Sequence, residues 1–434
     1  MIRTLLKRGG IAVLVIVMLG LALIGLLTVS RGTPVSRVVS LGDAKGAPAV
    51  SDSLFARTME LFTGTHISPG NQVDVLSNGD ETYAPLWRDL RSARSTITVQ
   101  MYFAKPGRVA DTMAVVLAER ARAKVRVLLL LDAFGAQELR GEWERRVRAS
   151  GVELAWLRPL ELFELNKAAQ RSHARVVVVD GRVGYTGGFG LADYWLGDGD
   201  APDQWREANV RFEGPAVAQL QAVFAAGWAE ARGELLTGEI FFPSHMFEPA
   251  GMEEAGLFYS LPTIGSTPGE RFLAITISAA RRTLYIANSY FIPDDDFRRF
   301  LVAAARRGVD VRVLVPGEET DVKTVLFASR WRYLELLEGG VRIFEYQPTM
   351  MHAKTIVVDG LWSAIGSFNF DNRSMVFNNE TTLLVLSART GARMDSLFLR
   401  DLRQAREIRL EAWRHRGTWE RVKEVGATLL SRVL

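Results

Sequence analysis

Read for hydrophobic and polar positions alone, the chain shows one alternation twice. Apolar, β-branched runs recur between stretches of helical periodicity such as 109–123 and 295–307. Runs apolar at successive positions predict strands buried on both faces, and their alternation with helices predicts α/β layering. The runs also echo one another in order. Residues 93–103, ending Met101-Tyr102-Phe103, return as 280–291, ending Ser289-Tyr290-Phe291. Val125-Arg126-Val127-Leu128 returns as Val311-Arg312-Val313-Leu314, and Gly151-Val152-Glu153-Leu154 as Gly340-Val341-Arg342-Ile343. Offsets of roughly 180 to 190 residues in one order mark a duplicated domain, not a short-period solenoid. The expected architecture is therefore α/β, with two copies of a mixed sheet flanked by helices about a pseudo-two-fold axis. The lobes are expected at 53–232 and 266–416, joined by a segment at 233–265.

The ends of the chain follow other patterns. Residues 9–30 carry no charge, and 22 helical residues span about 33 Å, enough for a bilayer core. Arg3, Lys7 and Arg8 precede the run, so a single-pass anchor with residues 1–8 cytoplasmic and the body extracytoplasmic in the cell membrane is expected. A cleaved signal peptide is the rival, but the run is long for one and no Ala-x-Ala closes it. Residues 31–52, rich in Gly, Ser, Pro and Ala, read as a flexible tether. In the tail 417–434, Trp419, Val422, Val425, Leu429 and Val433 recur at helical spacing. A basic amphipathic end of this kind either packs on the body or lies on an anionic membrane surface.

Composition narrows the chemistry. With 48% hydrophobic and 24% charged residues, the body is that of an ordinary globular protein. Without cysteine there is no disulfide, thiolate catalysis or Cys-ligated metal. The formal charge of +4 is mild, and between Arg400 and the end nine Lys/Arg against five Asp/Glu supply all of it.

Two of the five histidines sit in one frame. His173-Ala174-Arg175 leads to Asp180-Gly181, and His352-Ala353-Lys354 leads to Asp359-Gly360. Each frame then reaches a small-residue turn, Gly187-Gly188-Phe189-Gly190 and Gly366-Ser367-Phe368-Asn369. Two histidines, each with a neighbouring cation, suit in-line displacement at a phosphodiester. One imidazole attacks phosphorus while the other serves as acid and then base. Arg175, Lys354, Ser367 and Asn369 are the candidates for binding the phosphate oxygens, and fixed cations leave no role that demands a metal. Glu207 and Glu380, matched between the copies, are candidate partners that orient the histidines. Apolar residues near the motifs suit acyl chains or are simply core: Leu160, Leu162, Phe163 and Leu165, then Met350 and Met351, and Phe241, Phe242, Met246 and Phe247. No basic cluster with stacking aromatics flanks either motif, so no nucleic-acid partner is expected. No obligate protein partner is evident either.

The paired frames, the duplication and the closing Gly-Ser-x-Asn resemble the phospholipase D superfamily. Ser289-Tyr290-Phe291-Ile292-Pro293-Asp294, Met351-His352-Ala353-Lys354, the run from Gly366 to Ser374 and Asn378-Asn379-Glu380 are most similar to the bacterial cardiolipin synthases. The resemblance implies a membrane-anchored phosphatidyltransferase without cofactor. It would move a phosphatidyl group from phosphatidylglycerol to a lipid alcohol through a phosphohistidine. By the same resemblance His173 is the nucleophile, His352 the general acid and base, and Asp180 and Asp359 are buried structural groups. Two alternatives stay open, a phospholipase D that hydrolyses to phosphatidic acid and a catalytically weakened lipid-binding scaffold. The second arises from the first copy, where Arg175 stands for the family's lysine and Gly190 for its asparagine.

Overall fold

Strand order carries the duplication. The computed structural model describes residues 10–23, 35–39, 46–159, 170–262 and 265–428. The first copy contributes β1 (Ser68–Ser77), β2 (Thr96–Met101), β3 (Arg126–Asp132), β4 (Glu153–Leu157), β5 (Arg171–Ser172), β6 (Val176–Val179), β7 (Val183–Gly187) and β8 (Ala208–Glu213). The second contributes β9 (Glu253–Ser260), β10 (Thr283–Asn288), β11 (Asp310–Pro316), β12 (Arg342–Tyr346), β13 (Lys354–Val358), β14 (Trp362–Gly366), β15 (Asn378–Leu386) and β16 (Ala405–Ile408). All but β5 follow one path through a continuous sheet. Outward from a central antiparallel β1–β9 pair, one half runs β8-β7-β6-β2-β3-β4 and the other β15-β14-β13-β10-β11-β12, with β16 at the far edge. The two halves are the same sequence of strands read in opposite directions.

The repeated runs form equivalent strands. In each copy three parallel strands, β2-β3-β4 or β10-β11-β12, are joined by crossover helices. Those helices are Arg108–Arg122 and Glu142–Ala149 in one copy, Asp295–Arg306 and Lys323–Glu338 in the other. Parallel strands require such crossovers, and β3, with Leu128 to Leu131 wholly buried, is apolar on both faces for that reason. Each His frame enters a tight hairpin, β6–β7 or β13–β14. Asp180 and Asp359 have φ of 52° and 55°, followed by Gly181 and Gly360 at 62° and 66°. Positive φ at both central residues is the turn that Asp-Gly favours, closed by the Arg182 amide on the Val179 carbonyl at 2.9 Å and the Leu361 amide on the Val358 carbonyl at 3.0 Å. Asp180 accepts from the amides of Arg94, Ser95 and Thr96, and Asp359 from those of Arg281, Arg282 and Thr283. Both carboxylates are half-buried where full burial was expected. Asp359→Ala should therefore cost about 1–3 kcal/mol of stability, through αL strain and three amides losing their acceptor. Denaturant titration would show the loss, and the folded fraction should keep its turnover.

Three expectations about the ends and the link change. The helix Ser53–Thr63 packs on the second copy, where Phe55 meets Trp362 edge-on at 4.9 Å and Met59 joins the core of helix Pro268–Ala279. Ala47 and Val50 are buried in the same core, and Val35 and Val38 lie against it, so these parts of the expected tether are packed chain. Small residues read as flexible from composition alone, but Ala fits a close-packed face equally well. The segment 233–265 contains β9, the counterpart of β1 and a partner of β15, so it belongs to the sheet and is more than a connector.

At the N-terminus, the described residues 10–23 form an exposed helix. Among the described residues no helix is long and apolar enough to cross a membrane. The remainder of the expected span, 9 and 24–30, lies outside the described residues, as do Leu160, Leu162, Phe163 and Leu165.

A candidate active site at the crossing of the two copies

Two short parallel bridges, one from each copy, build the site. β5, just before His173, pairs with Asn378 and Asn379 of β15, just before Glu380. Met351, just before His352, pairs with Arg206, just before Glu207, with the His352 amide donating to the Arg206 carbonyl at 2.7 Å. Each bridge delivers the histidine of one copy to the glutamate of the other. His173 Nδ1 lies 2.9 Å from Glu380, and His352 Nδ1 lies 2.5 Å from Glu207. The matched glutamates do face the histidines, but in exchange between the copies. Arg206 fixes the second bridge through a buried ion pair with Asp401 and a bond to Asn78.

Both histidines line one cavity together with Arg175, Asn369, Tyr102, Tyr290, Trp195 and Trp205. Aromatic rings press on each imidazole. Tyr102 meets His173 edge-on at 4.9 Å, while Trp205 and Trp195 meet His352 at 4.8 and 5.5 Å. Burial, then the charge of Arg175, holds the His173 imidazole down at about 4. Burial and Lys354 push His352 well below its ordinary value too, so neither empty-site imidazole is a stable cation at neutral pH.

The cation two residues on from each histidine folds back beneath it. Lys354 Nζ donates to the His352 carbonyl and sits 2.9 Å from each ring nitrogen. Arg175 Nη1 donates to the His173 carbonyl at 2.6 Å, and its Nε donates to Phe189 at 3.2 Å. Arginine thus takes the lysine's place in kind, carbonyl bond included. Burial lowers Lys354 to about 7.

The carboxylates differ. Burial raises Glu207, and Lys354 only partly opposes it. Burial also acts to raise Glu380, but His173 and the hydroxyls of Ser367 and Ser374 bring it below its ordinary value. Ser367, a candidate for phosphate, is therefore occupied: it donates to Glu380 and accepts from the Thr381 amide at 3.0 Å. Asn369 does line the cavity, its side-chain Oδ1 accepting from the Ser289 hydroxyl at 2.8 Å.

The glycine at 190 in the first copy has a physical cause, a tryptophan. Ser374 lies seven residues past Ser367, and Trp195 lies seven past Gly188. Where Ser374 donates to Glu380 at 2.7 Å, the Trp195 indole donates to Glu207 at 3.2 Å. The larger ring leaves no room around it. A Cβ at Gly190 would lie 2.8 Å from the Trp195 ring and the Phe103 carbonyl, and one at Gly188 would lie 2.3 Å from Glu207. Glycine replaces asparagine because the indole occupies its space.

Several lining residues had no assigned role in the sequence: Tyr102, Tyr290, Trp205, Asp371, Arg373 and Asn378. Their signal was the duplicated Tyr-Phe at the ends of β2 and β10 and the long run after Gly366. Of the apolar candidates for acyl contact, Phe241, Met246, Met350 and Met351 are buried, and Phe247 is exposed. None of these lines the cavity among the described residues.

Known proteins resemble this chain along most of its length. The family described as "Cardiolipin synthase, PLD-like domain" matches residues 86–228 and 273–402. A cardiolipin synthase of Geobacillus kaustophilus is 35% identical over 380 residues, covering 86% of this chain and 74% of that one. Cardiolipin synthase A of Pseudomonas putida is 32% identical over 409 residues, covering 91% and 83%. Among solved structures, phosphatidylserine synthase of Haemophilus influenzae aligns with a TM-score of 0.65 over 87% of this chain and 99% of that one. At 12% identity that likeness speaks for the fold.

Proposed function

Because the chain belongs to the phospholipase D-like family of cardiolipin synthases, we propose that its crossed histidine–glutamate pairs carry out phosphatidyl transfer between two phospholipid headgroups. The chain is an enzyme of the phosphatidyltransferase type, and the exchange of glutamates between the two copies is the observation on which its mechanism rests. Neutral His173, its Nδ1–H held by ionised Glu380, attacks phosphorus of phosphatidylglycerol through Nε2. The bond from phosphorus to the glycerol oxygen breaks, and His352 Nε2 supplies that oxygen with a proton. His352 then takes the proton of an incoming lipid hydroxyl, whose oxygen attacks phosphorus as the P–N bond breaks. Cardiolipin leaves, and His173 is neutral again.

The difference between the carboxylates supports this division of roles. An ionised Glu380 suits the nucleophile's partner. The His352–Glu207 couple titrates as a unit, and the raised Glu207 lets that couple hold the proton the leaving group needs. Arg175, Lys354 and Asn369 serve the phosphate oxygens, whose charge grows toward the transition state. The aromatic walls keep water from competing with the alcohol.

Purified full-length protein in mixed micelles with phosphatidylglycerol tests the reading. Cardiolipin with one glycerol per turnover is the expected product. Phosphatidic acid instead would make the enzyme a hydrolase, and binding without turnover would make it a scaffold. Residues 9–30 supply the attachment that keeps this body at its lipid substrate in the cell membrane.

A pH profile checks the electrostatics. Lys354 is charged below about 7 and neutral above it in the empty site. Since kcat/KM reports the free enzyme, it should fall as pH rises through about 7. The limb in kcat should lie higher, because bound phosphate stabilises the ammonium. Lys354→Arg should remove the limb from whatever activity remains. A profile flat to pH 9 in the parent would separate Lys354 from the chemistry.

A further inference from the structure

The C-terminal helix Thr418–Thr428 carries its apolar stripe on the wrong side for a packed helix. It rests on helix Lys323–Glu338 through other residues. Ala427 is buried with Ile292, Val325 and Ala328, and Glu424 is buried in an ion pair with Arg416. Lys423 lies over the Phe327 ring at 5.7 Å. The stripe points away from all of these, with Trp419 69% exposed, Val422 52% and Val425 45%. At 100° per residue Trp419, Val422, Val425 and Gly426 share the outer face, Arg421 borders one side of it and Lys423 the other. An exposed tryptophan and two valines flanked by cations are what an interfacial helix presents to lipid.

We propose that this outer face is a membrane-docking surface for anionic phospholipid, which brings the mouth of the catalytic cavity to the headgroup layer. Charge selects the occupant. Arg421 and Lys423 flank the stripe on its two sides, and each basic residue near an anionic surface adds about 1 kcal/mol of attraction. Apolar insertion adds the non-electrostatic part, as for other helices lying in the interface plane. Continuity with the site supplies the second argument. Tyr290, which lines the cavity, also lies against the small apolar cluster that seats the helix. Its hydroxyl donates to Asp321 at 2.6 Å, two residues before helix Lys323–Glu338 begins. The docking helix and the cavity lining thus share one supporting loop, which carries both Ile292 and Tyr290. The surface is distinct from the N-terminal anchor, which would tether the body without orienting it. The proposal rests on a phospholipid substrate, but the depth measurement below does not.

The absence of cysteine makes the test direct. Val422→Cys in the full chain, carrying a nitroxide label, is reconstituted into vesicles of phosphatidylcholine with 30% phosphatidylglycerol and into phosphatidylcholine alone. In the anionic vesicles the label should become more accessible to oxygen than to a water-soluble nickel chelate, and the effect should fade in neutral vesicles or high salt. A label at Val115→Cys, exposed on the first lobe, should stay aqueous throughout. The triple variant Trp419→Ser, Val422→Ser, Val425→Ser should turn over phosphatidylglycerol vesicles at least about fivefold more slowly. Its rate on monomeric short-chain phosphatidylglycerol should match the parent. A label at Val422 that stays aqueous in anionic vesicles would overturn the proposal, as would one shielded equally without vesicles, which would mean a protein contact. If the label inserts but no phosphatidylglycerol is consumed, docking stands and the reading of the substrate fails.

Discussion

His173→Ala and His352→Ala should each abolish turnover, by on the order of 10⁴-fold or more in kcat, and the double variant should be little worse than either. The bridges explain why the losses cannot add. Each histidine is held by the other copy's glutamate, and both face one cavity, so removing either ends the same reaction. The variants should then separate by what accumulates. With a donor whose leaving group needs no proton, His352→Ala should still form the phosphatidyl adduct on His173 and fail to discharge it. Rapid quenching and mass spectrometry would find it there. His173→Ala should form no adduct, and Glu380→Gln should slow adduct formation because it weakens the partner of the nucleophile. An adduct found solely on His352 would reverse the roles of the two histidines. Each deletion also strands a buried carboxylate, so circular dichroism and melting must establish that the variants fold. Near-normal activity in either single variant would end the one-site mechanism.

How far the chain could be read without coordinates depends on the range of each interaction. Paired strands and hairpin turns leave local marks. The echoes at 93–103 and 280–291 became β2 and β10, and the Asp-Gly pairs became matching turns. The histidines and glutamates were found because duplication repeats them. Which glutamate serves which histidine left no mark, because it is decided by two bridges of one or two residues each, between segments about 145 and 207 positions apart. Ser367 was assigned to phosphate from its place in the motif, but Glu380 takes its hydroxyl. Gly190 read as a lost donor, yet the reason for it is a ring five residues away in sequence whose indole faces Glu207. The stripe at Trp419 was legible as a stripe. Only packing could tell that its opposite face, with Ala427 and Glu424, meets the body, and Leu429 and Val433 of the same stripe lie outside the described residues.

Arg175→Ala should cost at least about 2 kcal/mol of transition-state stabilisation, roughly a thirtyfold loss, seen chiefly in kcat. The side chain lines the cavity beside His173, where the proposed mechanism puts the phosphoryl group as charge develops on its oxygens. It is also a structural strut. Its guanidinium is buried, bonded to the carbonyls of His173 and Phe189, and placed over the Tyr102 ring at 5.8 Å. Alanine leaves the His173 carbonyl without that donor and opens a cavity beneath the nucleophile, so the melting temperature should fall as well. Arg175→Lys separates the two contributions. An ammonium can donate to the His173 carbonyl as Lys354 does to that of His352, but it cannot also hold Phe189 in the guanidinium's fork. Lysine should therefore recover most of kcat while recovering only part of the stability. Two results would count against this account. If alanine folds and turns over like the parent, the first copy does not grip phosphate. If lysine restores stability but not kcat, the planar guanidinium itself, and not a cation at that place, serves the reaction.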